Sequence, residues 1–186
     1  MKCKAFIIGG SAGSLEVLLK VLPDVNVNIP FPIIVVVHRK HGVDSLLPVL
    51  LSTRTKLAVK EVDEKEKIVA GTVYIAPSDY HLLIEQDETF SLDYSEKINY
   101  SRPAIDATFQ TAAEVYKTKL ACLLLSGSNS DGVNGLKSVK AWGGMTLIQD
   151  PESAQVAYMP MQAKLNVKID QVLPIEAIAE FINLLS

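Results

Sequence analysis

Hydrophobic residues fall along this chain in short unbroken runs that alternate with stretches of helical spacing. Residues 5–9 (AFIIG) form an apolar run that stops at glycines, the mark of a first strand. Leu15, Leu18, Leu19 and Leu22 then recur at i, i+3, i+4 and i+7, which predicts a helix closed by Pro23. Ile33–Val37 (IIVVV) is β-branched throughout and fits a strand buried on both faces. A second helix is expected with Val43, Leu46, Leu47 and Leu50 on one face, and its Pro48 is tolerable if Asp44 caps it. Residues 57–62, 72–75, 82–85 and 90–93 read as strands, the last two as a hairpin around 86–89. A helix over 101–119 has Pro103 in its first turn and Ile105, Phe109, Ala112 and Tyr116 on one face. Residues 121–125 (ACLLL) and 145–148 are further strands, separated by a helix over 132–141 carrying Val133, Leu136 and Val139. Pro174 opens a last helix with Ile175, Ile178, Ala179 and Ile182 at its apolar positions.

Strands joined by helices predict an α/β fold: a doubly wound, mostly parallel sheet in three Rossmann-like layers. The 72–94 stretch breaks the alternation and is expected as an antiparallel hairpin insertion. Right-handed crossovers put every strand-to-helix loop on one sheet edge, where such folds bind ligands. The length of 186 residues suits a single domain, 1–186, and the 48% apolar content supports a real core. With 18 Lys+Arg against 21 Asp+Glu, the chain lacks the basic balance that nucleic-acid binding needs. Its apolar runs fall far short of the ~20 residues that span a bilayer, so no membrane insertion is expected. Cys3 and Cys122 are too few for a disulfide scaffold, which points to a reducing cytoplasm. His38, His41 and His81 have no metal-ligand spacing, so no metal site is expected.

Three loops carry chemistry. Residues 9–13 (GGSAG) fit G-x-S-x-G, the tight turn that lifts a serine hydroxyl above the sheet. By itself that turn reads first as a phosphate loop, but neither a dinucleotide fingerprint nor a Walker lysine is present. His38 ends the second strand; if the two strands are neighbours, about 5 Å apart, Ser11 and His38 come within reach. Asp131 lies in a loop (127–132, GSNSDG) after a third buried strand, where it serves either as the cap of its own helix or as a carboxylate orienting His38. The remaining histidines, His41 and His81, read as loop or surface residues. The chain order Ser, His, Asp differs from that of the α/β-hydrolases.

These segments resemble the chemotaxis receptor methylesterases, the CheB family of protein-glutamate methylesterases. The similarity runs through residues 7–13 (IIGGSAG), 36–38, 73–81 (VYIAPSDYH), 102–109 (RPAIDATF), 125–135 (LSGSNSDGVNG), 149–154 (QDPESA) and Met159–Pro160, in that order. The resemblance implies a cytoplasmic serine hydrolase that removes methyl groups from glutamate methyl esters of chemoreceptors, releasing methanol, with deamidation of receptor glutamines as a second activity. It implies Ser11 as nucleophile, His38 as general base and acid, and Asp131 as orienting carboxylate. It also implies oxyanion donors near Ala12 or Ser128, with Asn129, Arg102 and Met159 as further cleft residues and no cofactor. The expected partner is the cytoplasmic domain of methyl-accepting receptors. Ser14, Ser128 and Asn129 depart from the family's usual glycine, methionine and glycine. Family members carry a phosphorylatable N-terminal receiver domain, whereas this chain starts just before its first strand; it reads either as a stand-alone member, with a receiver protein as a regulatory partner in trans, or as an excised domain. The alternatives are a hydrolase of another ester or amide, and a non-catalytic docking module, which predicts a Ser11–His38 separation too long for a hydrogen bond.

Overall fold

The computed structural model describes residues 2–38 and 46–186. Among these residues, nine strands run in chain order: β1 (Ala5–Gly10), β2 (Ile33–Val37), β3 (Ala58–Glu61), β4 (Thr72–Ile75), β5 (His81–Ile84), β6 (Phe90–Asp93), β7 (Leu120–Leu124), β8 (Met145–Gln149) and β9 (Gln171–Leu173). The helices are α1 (Ser14–Val21), α2 (Leu47–Ser52), α3 (Ile105–Tyr116), α4 (Val133–Ala141), α5 (Tyr158–Asn166) and α6 (Ile175–Leu184). Seven strands form a wholly parallel sheet in the order β3-β4-β2-β1-β7-β8-β9, and β5 and β6 pair antiparallel apart from it.

The sheet is covered on both faces, which is why its central strands are apolar at every position. Side chains alternate between the faces. Phe6, Ile8, Ile33, Val35, Ala121 and Leu123 pack with Val17, Leu18 and Val21 of α1 and with Ile178 and Ile182 of α6. Ile7, Ile34, Val36, Cys122 and Leu124 point the other way, into a core with Phe109 of α3, Leu136 of α4 and the hairpin residues Leu82 and Phe90. β1 lies at the centre, with β2 on one side and β7 on the other. The chain winds outward from β1 in both directions, which opens a crevice beyond the carboxyl ends of these three strands.

Several elements differ from the sequence expectation. Residues 72–75 pair in parallel with β2 and β3, so the hairpin insertion is narrower than 72–94 and begins at His81. α3 starts at Ile105 rather than 101: the chain bends at Arg102 and Pro103, and Ala104, the residue before the helix, is extended. Its predicted apolar face is correct: Ile105, Phe109, Ala112 and Tyr116 are all buried. The described part of α2 buries Leu47 and Leu51, while Leu46 and Leu50 face outward. Its N-cap falls on Leu46, which leaves Pro48 in the first turn as expected; Val43 and Asp44 lie outside the described residues. Pro174 is the N-cap of α6, one position before its first turn. Two elements carry no sequence signal. α5 has Pro160 and three polar residues, Gln162, Lys164 and Asn166, in nine positions, and β9 is a three-residue strand at the sheet edge with two exposed positions.

Candidate active site

Ser11 follows β1 directly, His38 follows β2, and Asp131 lies in the loop between β7 and α4. Because β2, β1 and β7 are adjacent, their carboxyl ends bring the three residues together. The His38 N–H donates to Gly10 O (3.1 Å) and the Ser11 N–H to Ser126 O (2.9 Å), so neighbouring loops are fixed to one another just beyond the sheet. The turn after β1 is tight: the Ser14 hydroxyl donates to Ser11 O at 2.6 Å, and Gly13 caps α1 in the left-handed region at φ 85°. The Ser126 hydroxyl donates to Ala12 O and accepts from the Val156 N–H, while Gln149 Oε1 accepts from the Ser126 N–H. Ser126 and Gln149 thus tie the Ser11 turn to the segment before α5. Both are buried, although they were not singled out from the sequence.

His38 Nε2 lies 2.7 Å from Asp131 Oδ2. Asp131 is fully buried, yet well supplied with donors. Its carboxylate accepts from the N–H groups of Ile105 (2.7 Å) and Asp106 (3.0 Å), the first amides of α3, and from the Gly132 N–H (3.0 Å). Burial alone would push this carboxyl up, but His38 and the α3 amides outweigh it and hold it below its ordinary value. Asp131 does not cap its own helix, whose N-cap Gly132 has no side-chain partner; it caps α3. Asp106 of α3 does the reverse, accepting from the Gly132 (2.9 Å) and Gly135 (2.6 Å) N–H groups at the start of α4. Two helix N-termini therefore face each other, and each is satisfied by an acid from the other. Asp106, unmarked in the sequence as a site residue, is held above its ordinary value by burial and by the nearby Asp131 charge.

With Nε2 donating to an ionised Asp131, Nδ1 is the nitrogen of His38 left to accept a proton. It lies 3.4 Å from Ser101 Oγ. No hydrogen bond joins Ser11 Oγ to His38, although both line one cleft of about 200 Å³ with Ser14, Leu15, Val37 and Leu47. Such bonds are often long before substrate binds. The N–H groups of Ala12, Ser128 and Asn129 make no hydrogen bond within the described residues. Asn129 Oδ1 accepts from the Asp131 N–H, so this side chain shapes the Asp131 loop. Met159 is fully buried in the core that holds Phe109 and Leu136, with its Sδ and Cε close to Gly127, and it does not line the cleft of Ser11 and His38.

Arg102 sits differently. Its guanidinium lies 3.9 Å over the Tyr94 ring and donates to Tyr94 O and Ser95 O, holding the segment after β6 in place. His81, read from the sequence as a loop or surface residue, is buried at the start of β5: Nδ1 accepts from the Ala104 N–H and Nε2 donates to Glu96 O. It fastens the hairpin to the approach of α3. His41 lies outside the described residues. Among the described residues, no group of three His, Cys, Asp or Glu side chains converges on a point where a metal could bind. No helix among them is long and apolar enough to cross a membrane.

Comparison with known proteins matches residues 6–182 to the sequence profile of the CheB methylesterase family. The chain belongs to the CheB methylesterase family. The fold agrees: the crystal structure of the Thermotoga maritima CheB methylesterase catalytic domain superposes with a TM-score of 0.95 at 37% identity, covering 100% of both chains. A Leptospira interrogans protein with a provisional protein-glutamate methylesterase/protein-glutamine glutaminase name is 44% identical over 99% of this chain and 96% of its own length. The Thermotoga maritima protein-glutamate methylesterase/protein-glutamine glutaminase is 38% identical over 95% of this chain, which spans 52% of that longer protein.

Proposed function

We propose that this chain hydrolyses glutamate methyl esters on chemoreceptors through a Ser11–His38–Asp131 triad. The observation that carries the reading is the 2.7 Å contact between His38 Nε2 and a fully buried Asp131, with His38 and Ser11 lining the same cleft. Ser11 Oγ attacks the ester carbonyl as its proton passes to His38 Nδ1, and Asp131 stabilises the imidazolium that forms. The carbonyl oxygen takes the negative charge beside the free N–H groups of Ala12 and Ser128. Collapse expels methanol, which takes its proton from His38. Water, deprotonated by the same imidazole, then cleaves the glutamyl–serine ester and restores Ser11. For this sequence Ser11 Oγ must turn towards Nδ1 and displace the Ser101 hydroxyl now nearest to it.

The same acyl-enzyme forms from a glutamine side chain with ammonia as leaving group, and the glutaminase part of the relatives' names supports that second activity. A non-catalytic docking role is favoured by one observation, the missing Ser11–His38 bond. Methanol release from methylated chemoreceptor membranes, wild type beside Ser11→Ala, separates the readings. Release that disappears with the serine hydroxyl is the expected result; release that survives Ser11→Ala defeats the nucleophile assignment, and no release from wild type moves the weight to another ester or to docking.

A further inference from the structure

Ile98 and Ser101 close a two-residue turn through reciprocal backbone hydrogen bonds of 3.2 and 2.9 Å. Its central residues, Asn99 and Tyr100, both have left-handed backbones, at φ 50° and 62°. Asparagine accepts that conformation more readily than most residues. Both residues are exposed, Tyr100 at 97% on the tip, but the Asn99 amide is directed at two buried acids. Asn99 Nδ2 donates to Asp106 Oδ2 at 3.1 Å and reaches Asp131 Oδ1 at 3.4 Å. The Gly132 N–H also serves both carboxyl groups, at 2.9 and 3.0 Å. Two buried acids therefore stand side by side and share two donors. One donor is backbone and fixed. The other is Asn99, the one side chain among the described residues that donates to both acids.

We infer that Asn99 is a positioning residue for the reaction, its amide bridging Asp131 and Asp106 so that Asp131 stays ionised and aimed at His38. This inference rests on the triad reading of Ser11, His38 and Asp131. The physical reason is like-charge repulsion: two carboxylates in one buried site favour a shared proton or a rotation apart unless donors lie between them. A neutral or rotated Asp131 no longer stabilises the imidazolium or fixes which nitrogen of His38 carries the proton. Asn99 thereby acts on His38 through Asp131, without touching the reacting atoms.

The test uses the full chain with Asn99→Gly and Asn99→Asp. Both replacements suit a left-handed turn, and neither supplies a neutral amide donor. The first readout needs no substrate: the low-field proton resonance of the His38–Asp131 hydrogen bond, assigned by its loss in His38→Gln. Wild type shows it, and both Asn99 variants shift or broaden it, while Tyr100→Gly, which keeps the amide, leaves it in place. The second readout is methanol release from methylated receptor membranes. There kcat falls roughly tenfold in Asn99→Gly, the size of one charge-assisted hydrogen bond, and further in Asn99→Asp, with KM and melting temperature little changed. An unaltered resonance and kcat in both Asn99 variants overturns the inference. So does a resonance lost equally in Tyr100→Gly, or a loss of activity that merely follows a lower melting temperature. Activity that survives Ser11→Ala instead defeats the triad reading, and a wild-type chain with no low-field resonance defeats the dyad geometry on which both rest.

Discussion

At the scale of single residues, Asp131 has two functions that mutation separates. Its carboxylate faces His38, and it also satisfies the first amides of α3. His38→Gln removes only the first function: turnover is lost, while the denaturation midpoint stays close to wild type because four N–H donors, from Ile105, Asp106, Gly132 and Asn99, still hold the acid. Asp131→Asn removes both. A carboxamide sets N–H against N–H at one of its two atoms, so we expect a stability loss of about 1–3 kcal/mol together with a fall in kcat of roughly 10³- to 10⁴-fold. Steady-state methanol release and urea denaturation of the two variants check this; equal stability in both would show that the α3 contacts of Asp131 carry little weight.

At the scale of elements, the site depends on two sharp strand-to-helix turns. Gly13 before α1 and Gly132 before α4 occupy the same left-handed cap position, at φ 85° and 92°. Space is also short at each. A Cβ on Gly132 would lie 2.6 Å from Leu124 Cδ1 and 3.0 Å from Ile105 Cγ2, and one on Gly13 would lie 2.7 Å from Ser126 Oγ. Gly132→Ala therefore costs strain and crowding together, about 1–3 kcal/mol, and shifts the adjacent Asp131. Gly13→Ala should lower stability similarly while displacing Ser11 rather than the acid. Denaturant midpoints measure the first effect. The His38–Asp131 proton resonance discriminates the second, changing in Gly132→Ala and persisting in Gly13→Ala.

The whole molecule sets the response to acid and to thiol reagents. Asp131 is held below its ordinary value, so its stabilising contribution is full above about pH 3.9, the unfolded carboxylate value, and is lost as pH falls through the lower folded value. Asp106 is raised, so in the window between about 3.9 and its folded value the native state takes up a proton there more readily than the unfolded chain, and falling pH favours folding at that group. Urea midpoints measured against pH should therefore lose the Asp131 contribution only below about 3.9, and Asp131→Asn should flatten that steep portion. Cys3 and Cys122 lie in the two opposite cores, and burial pushes the Cys3 thiol up to about 11 and that of Cys122 well above the ordinary range. A disulfide reagent at pH 8 should thus label the native chain only as fast as it unfolds. Rapid labelling of Cys122 in the folded protein would contradict a sealed core.

The fold class and the Ser11, His38 and Asp131 positions were legible in the sequence because they depend on short-range pattern. Unbroken β-branched runs, helical spacing and loop composition are local properties, and a parallel sheet with right-handed crossovers puts the loop ends on one edge. The details at that edge were not legible. That residues 72–75 join the main sheet, that His81 is a buried clasp, that β9 forms an edge strand, and that Asp131 caps α3 instead of α4 all depend on partners 14 to 40 residues away. Asn99, Ser101 and Asp106 carried no local mark of a site, since a polar residue in a loop or on a helix has the same sequence appearance whether it meets water or a buried acid. The sequence by itself determined the fold class and which strand-end loops hold Ser11, His38 and Asp131, the groups proposed for the chemistry, through residue type and spacing. Only the tertiary structure decided which nitrogen of His38 faces the acid and which donors keep that acid charged, because hydrogen bonding and burial are set by the packing of two helix ends that are distant along the chain.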